Sequence, residues 1–370
     1  MTVCVTGMAW TTALGTDMTR VWSRLLNGES GITEVRTEHR LRNALAAPVA
    51  APGGTRSPAA RQRAIAADTI GRARADAGLV PGSPDEEPCL VIGTSFGAHL
   101  DGEDAPLDRW AGEVARGLGM SRPPVVVSTA CSSGSDAIAA GTALLGSGAA
   151  DACLCAGVDV LTPAKRLGHS ALGTMSPTRL RAFDRRADGT LLGEGGGCLV
   201  LETAESARRR GVTPYAVVHG AGAANDGAGM TVPDPSGEGV LRAVRAALAG
   251  TGFGLPDVAV VNAHGTGTPA NDAVETASLA RLFAGADRPV VFATKGAFGH
   301  SLGATGAVEA IAVILALRHG WAPPVAGLRD VVEGFGPPIP AGRAAPVDKG
   351  VGLSLTLGFG GFITCLAFGV

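Results

Sequence analysis

Aromatic side chains are scarce in this chain: one tyrosine, four tryptophans and ten phenylalanines among 370 residues. A core with so few large rings closes on small residues. The 55 glycines and the 46% hydrophobic content predict helices lying close against sheets, in a core large enough for more than one domain. Net charge is lacking too, and a balance of −2 gives no reason to expect a nucleic-acid partner. No apolar run reads as long enough to cross a bilayer, so no membrane partner is expected. The N-terminus, Met1-Thr2-Val3-Cys4-Val5-Thr6-Gly7, reads as a strand rather than a signal peptide. Seven cysteines, an odd number without secreted-type spacing, argue against a disulfide framework. Cys153 and Cys155 alternate on one face of a strand and read as small core residues. No cysteine–histidine cluster has metal-ligand spacing, so no metal site is expected. A cytoplasmic protein is the expectation.

What is present is a repeated alternation of strand and helix. Short apolar runs predict strands at Val3–Val5, Cys89–Ile92, Val125–Ser128, Ala152–Ala156, Cys198–Glu202, Tyr215–His219, Val258–Asn262, Val290–Ala293, Gly352–Leu357 and Phe362–Phe368. Helical stretches lie between them: Arg20–Leu26, Ala59–Ala77, Asp136–Leu145, Gly239–Ala249, Val274–Phe283 and Gly306–Leu317. The pattern implies an α/β fold with buried sheets. Residues 29–60 read as a surface loop, and residues 98–124 as a polar stretch with a short helix near Arg109–Arg116. Arginines cluster at Arg56, Arg61, Arg63, Arg72 and Arg74, and again at Arg179, Arg181, Arg185 and Arg186. Each cluster reads either as a solvated face or as a landing patch for an acidic carrier protein.

The two halves resemble each other. Cys131-Ser-Ser-Gly134 opens one alanine-rich helix and His300-Ser-Leu-Gly303 opens another, each after a strand and a short turn. A duplication would divide the chain into 1–210 and 211–370, with the seam at Glu205–Gly211, and would set Cys131 and His300 at pseudo-symmetric helix starts. A thiol at a helix N-terminus gains from the partial positive charge there, which favours thiolate. The small residues after it let a carbonyl approach backbone N–H groups.

Three further segments carry chemistry. Asn262-Ala263-His264-Gly265-Thr266-Gly267-Thr268 ends a strand, with an imidazole placed to enter a cleft and two hydroxyls able to bind a polar linker. Lys295-Gly296-Ala297-Phe298-Gly299-His300 runs into the helix that contains Glu309. Gly358-Phe359-Gly360-Gly361 ends another strand, and its N–H groups are candidates for an oxyanion.

In this order and context the segments resemble the β-ketoacyl synthases of the thiolase superfamily, in the branch with a Cys-His-His triad. Val5-Thr6-Gly7-Met8, Thr129-Ala130-Cys131-Ser132-Ser133, Phe183-Asp184, Asp188-Gly189, Gly193-Glu194-Gly195, Asn225-Asp226 and both histidine motifs carry the likeness, with Asn271-Asp272 and Glu275 beside the first of them. The resemblance implies a thiolase fold: two pseudo-duplicated halves in an α/β/α/β/α layered sandwich. It implies Cys131 as acyl acceptor, with His264 and His300 holding the extender's thioester carbonyl. Lys295 and Glu309 would be a supporting pair that orders the His300 turn. Thr266 and Thr268 would touch phosphopantetheine, and the N–H groups of Cys131 and Phe359 would form the oxyanion hole. The expected substrates ride on acyl carrier protein, with no other cofactor, and the expected assembly is a homodimer or a heterodimer with a related ketosynthase subunit. The chain departs from the family by shortened stretches at 32–60 and 98–127, by Phe362-Ile363 after the GFGG loop, and by Leu355 and Leu357, which an acyl pocket of altered lining would explain. Two other functions fit the same motifs: a chain-length-factor-like partner subunit, and an acyltransferase that forms no carbon–carbon bond.

Overall fold

The computed structural model describes residues 1–50, 54, 57–79, 87–102, 106–285 and 289–370. Ten strands form one mixed sheet: β1 Val3–Thr11, β2 Cys89–Gly93, β3 Val125–Val127, β4 Ala152–Asp159, β5 Gly195–Thr203, β6 Ala216–Asn225, β7 Val258–Asn262, β8 Val290–Phe292, β9 Val351–Gly358 and β10 Phe362–Gly369. Across the sheet they run β8-β7-β9-β10-β6-β1-β5-β4-β2-β3. Each half therefore has the same order, third-second-fourth-fifth-first. Within each, the first three neighbours are parallel and the last two junctions antiparallel. Within the ten-stranded sheet the two halves join where Val3–Val5 of β1 pairs with three residues of β6, Ala216, Val217 and Val218. Every strand read from the sequence is present; β6 continues six residues beyond the expected end at His219.

The helices are α1 Met18–Leu26, α2 Pro58–Asp76, α3 Arg109–Gly117, α4 Ser133–Gly146, α5 Pro163–Ala171, α6 Ala204–Arg209, α7 Glu238–Leu248, α8 Pro269–Leu282, α9 Lys295–Phe298 and α10 Thr305–His319. Helices α4 and α10 touch each other and strands of both half-sheets, so they form the central layer. Helix α2, with α3 on it, covers the outer face of the first half-sheet, and α7, with α8 beside it, covers the second. The central layer is tight because its residues are small. A Cβ on Gly134 would sit 2.8 Å from the Ala307 nitrogen, and one on Gly306 would sit 2.4 Å from the Ser135 nitrogen.

Those reciprocal contacts correct the repeat alignment. They pair Gly134 with Gly306, so the counterpart of Cys131 is Gly303 and not His300. Both elbows are single 3₁₀ turns, Ala130–Ser132 and Leu302–Ala304, entered through non-glycine residues at positive φ, 54° for Ala130 and 50° for Leu302.

Two other expectations change. The segment Leu302–His319 is long and apolar enough to span a bilayer by length and composition, contrary to the sequence reading. Of its residues, 89% are buried, and the helix packs between the half-sheets, which accounts for its hydropathy as that of a core helix. The stretch 29–60 is not simply a surface loop: Thr33–Glu34 pairs with Leu45–Ala46, and buried Ala47 donates its N–H to the Leu192 carbonyl (2.9 Å). Residues 51–53, 55 and 56 of that stretch, and 103–105 of the polar stretch, lie outside the described residues. The seven cysteines are free.

Candidate active site

Cys131 rides on the first elbow, 4% exposed. The turn is held from beneath. Asp136 of α4 accepts the hydroxyls of Thr129 (2.5 Å) and Ser132 (2.8 Å) on one oxygen and that of Thr364 in β10 (2.5 Å) on the other. Ser133 donates to the carbonyls of Ala130 (2.6 Å) and Thr94 (3.1 Å). This clamp stabilises the strained φ of Ala130. Sequence reasoning missed Asp136, although an acidic residue in a first helical turn after Ser and Thr was a usable signal.

The Sγ of Cys131 and one imidazole nitrogen each of His264 and His300 lie within 4.8 Å of one another. His300 Nε2 is 3.1 Å from Sγ. Its Nδ1 accepts the Leu302 N–H (3.3 Å), so Nε2 carries the proton and faces the cavity as a donor. The two rings stand edge to face, centroids 5.2 Å apart at 85°. Burial holds both imidazoles well below their ordinary pKa, and the Lys295 charge pushes the same way, so both are neutral at physiological pH.

The thiol does not follow the sequence expectation. Burial pushes Cys131 up to about 12, against the opposing pull of Lys295 and of the Phe359 N–H. Desolvation outweighs the helix-terminus effect, and the resting residue is a neutral thiol.

His264 is placed by its backbone. Buried Glu275 accepts the N–H groups of His264 and Gly265, both at 2.7 Å, and Asn271 donates to the same carboxylate (2.7 Å). Buried Lys295 donates to the His264 carbonyl and to Glu309 (2.7 Å), which also accepts from Thr294 (3.1 Å). The Lys295–Glu309 pair therefore braces the first histidine's turn, while α9 leads from Lys295 into the second. His300 is held by a two-way exchange with the 191–193 segment, its N–H to the Leu191 carbonyl and its carbonyl from the Gly193 N–H, each 2.8 Å. A side chain at 193 would put its Cβ 2.3 Å from the Phe298 carbonyl, which explains that glycine. Buried Asp159, also missed in the sequence, accepts from Ser95 (2.9 Å) and Gly303 (3.0 Å) and pairs with Lys165.

The Gly358–Gly361 loop closes the site. A Cβ on Gly358 would lie 3.3 Å from the Cys131 nitrogen, so this strand end rests directly on the elbow. The Phe359 backbone N–H lies close enough to the Cys131 thiol to favour its charged form. The loop is tied down by Asn225, which donates to the Gly360 carbonyl (2.9 Å), by the Asp226 N–H on the Gly361 carbonyl (3.0 Å), and by the Gly360 N–H on the Met230 carbonyl (2.8 Å). Leu357 faces the cavity, Leu355 is fully buried, and Phe362 is 38% exposed.

A cavity of about 320 Å³ connects the triad to the surface, with Thr266, Thr268, Met230 and Phe359 in its wall. Thr266 and Thr268 hydroxyls are bonded to each other at 2.8 Å. Both arginine clusters carry ion pairs. In the first, Arg61 pairs with Glu194, Arg63 with Glu113 and Arg72 with Asp68, while Arg56 lies outside the described residues. In the second, Arg186 pairs with Asp184 (3.0 Å) and Arg185 with Asp330 (3.7 Å). Arg179, Arg181 and Arg186 converge with Arg329 around Gly327 in a small cleft. Gly267, whose own Cβ position is 3.4 Å from the Arg181 nitrogen, links that cleft to the threonines.

Such a site offers a nucleophile, two neutral imidazoles, of which His300 presents an N–H, and fixed backbone donors around one point, which suits acyl transfer through charge-developing oxygens. Comparison with known proteins agrees. Residues 1–69 and 58–207 match the β-ketoacyl synthase N-terminal domain, and residues 215–329 match the β-ketoacyl synthase C-terminal domain. The 3-oxoacyl-[acyl-carrier-protein] synthase 2 of Mycobacterium tuberculosis is 37% identical over 249 residues, 65% of this chain and 60% of that protein. Nodulation protein E of Rhizobium meliloti is 33% identical over 364 residues, 89% of each. The solved structure of the ishigamide ketosynthase/chain length factor superposes with a TM-score of 0.88 at 28% identity, over 100% of this chain and 99% of that one. The match spans under two thirds of the mycobacterial protein's length but nearly the whole of the rhizobial one. By its triad, its duplicated halves and these matches, the chain belongs to the β-ketoacyl synthase family of the thiolase superfamily.

Proposed function

We propose that this protein is a condensing enzyme, a β-ketoacyl-[acyl-carrier-protein] synthase. In the first stage Cys131 sulfur attacks an acyl thioester. The C–S bond to pantetheine breaks, the new thioester forms on Cys131, and the thiol proton leaves with the pantetheine sulfur. The Cys131 and Phe359 N–H groups stabilise the tetrahedral oxyanion. In the second stage a malonyl-type thioester loses CO₂, and the electron pair of the broken C–C bond becomes an enolate. His264 and His300 donate N–H bonds to its oxygen, Lys295 and Glu309 hold their turns, and Thr266 and Thr268 position the phosphopantetheine arm. The enolate carbon attacks the Cys131 thioester and expels the thiolate, which takes up a proton.

The convergence of one buried thiol with two neutral imidazoles is the observation that supports this most. The shortened stretches at 32–60 and 98–127 favour a polyketide or specialised fatty acid substrate. The arginine cleft beside Thr266 and Thr268 is our docking surface for acidic acyl carrier protein. Further proposals are a cytoplasmic dimer, with itself or with a related ketosynthase subunit, and halves at 1–210 and 211–370. The test is to supply acyl- and malonyl-acyl carrier protein together and to follow CO₂ and the carrier-bound product by mass. A β-ketoacyl product with stoichiometric CO₂ is expected. Acylation of the enzyme without CO₂ would make it an acyltransferase, and no acylation at all would make it a partner subunit.

A further inference from the structure

His169 lies near the end of α5, a helix started by Thr162, whose hydroxyl accepts the Lys165 N–H (3.2 Å), and by Pro163. It is outside every motif read from the sequence, yet its ring forms part of the same cavity wall as Cys131, His264 and His300. The ring stacks on Phe359, centroids 5.7 Å apart at 21°. Its Nδ1 is 2.9 Å from the Thr174 hydroxyl oxygen, and that hydroxyl donates to the His169 carbonyl (3.3 Å). With the hydroxyl hydrogen on that carbonyl, the Thr174 oxygen accepts Nδ1–H, the tautomer that leaves Nε2 a free lone pair. No group among the described residues bonds Nε2. Burial and the Lys165 charge lower this imidazole to about 4, so it stays neutral. The neighbouring wall is apolar at Leu172, Leu357 and Phe359. The side chain is partly exposed, so Nε2 meets solvent in the open cavity, and an acyl chain that displaces that solvent without supplying a donor leaves the acceptor unpaired.

We propose that His169 is a specificity-determining residue that accepts a hydrogen bond from a hydroxyl on the incoming acyl chain, so that the site selects hydroxylated acyl groups over saturated ones. The inference rests on the condensing-enzyme reading and names the substrate class of that same site. A cavity built to bond a hydroxyl discriminates against the chain that lacks it, because the acceptor is then stranded.

The experiment compares loading rates of octanoyl, 3-hydroxyoctanoyl and 5-hydroxyoctanoyl groups from acyl carrier protein onto Cys131, by intact mass. In the wild type at least one hydroxylated chain loads about tenfold faster than octanoyl, as one hydrogen bond near 1.4 kcal/mol implies. His169→Phe keeps a stacking ring and abolishes the preference, so that neither hydroxylated chain loads faster than octanoyl. His169→Gln, which retains an acceptor, keeps part of the preference. A substitution that slows all three chains by one factor shows a merely structural ring and overturns the inference, as does a wild type that prefers octanoyl. A wild type that loads none of the three overturns the condensing reading, and this inference with it.

Discussion

The two elbows of this protein share a backbone and differ in what they carry. Each is a 3₁₀ turn entered by a non-glycine residue at positive φ and followed by a helix of the central layer, α4 in one half and α10 in the other. The first presents the Cys131 thiol. At the matching position the second has Gly303, whose absent side chain leaves room for Ser95, and its functional group, His300, comes from just before the turn. Duplication thus supplied one scaffold twice. The chemistry arises where the copies stopped being alike, since two nucleophiles facing each other would leave no donors for the enolate.

The largest expected effect tests the donor side of that asymmetry. His264→Ala and His300→Ala should each lower CO₂ release from malonyl-acyl carrier protein by about 10²–10³-fold, by analogy with lost oxyanion donors, while acyl loading of Cys131 survives. Undiminished decarboxylation in both would remove their assigned roles. The next effect is on stability. Gly303→Ala would put a Cβ 2.3 Å from the Ser95 nitrogen, and overpacking of this kind costs roughly 3 kcal/mol. Denaturant unfolding reads it directly, and a neutral result would show that the second elbow tolerates a side chain and that its glycine is incidental.

A smaller effect probes the clamp unique to the first elbow. Asp136→Asn replaces one of the two carboxylate oxygens that accept the Thr129, Ser132 and Thr364 hydroxyls. Loading of Cys131 should slow by roughly tenfold with the fold retained, if each altered bond is worth about 1 kcal/mol. Equal loading rates would mean that the elbow holds its φ without the clamp.

The smallest effect is a pH dependence. Burial depresses the pKa of His264 and His300, so below about pH 6.5 the unfolded chain takes up protons that the folded one refuses. Their contribution to stability is full above that pH and is lost as pH falls towards the folded values, at about 1.4 kcal/mol per pH unit for each ring. The unfolding free energy of His264→Gln should fall less steeply between pH 6.5 and 5 than that of the wild type. Identical slopes would place His264 in contact with water.

Much of this was legible in the sequence, because short β-branched runs ending in glycine mark buried strands whatever their partners. All ten strands, the Cys131 elbow and both histidine motifs could be read that way. The repeat alignment could not, because Gly134 and Gly306 are defined as equivalents by a helix crossing that joins residues far apart in the chain. The state of the Cys131 thiol was misread for a related reason: helix position is visible in a sequence, but the desolvation that dominates it is set by tertiary packing. Helix α5 had its start signal in Thr162-Pro163 and was still missed, and His169 with it. Asp136 and Asp159 take their roles from hydroxyl and backbone donors that only the fold brings to them.

Acyl loading of the wild type and of Cys131→Ala, measured by intact mass after incubation with acyl carrier protein bearing a panel of acyl chains, tests the account most directly. One acyl group per chain on the wild type, and none on the variant, is the predicted result. Equal acylation of both proteins would contradict the assignment of Cys131 as the nucleophile, and with it the condensing mechanism.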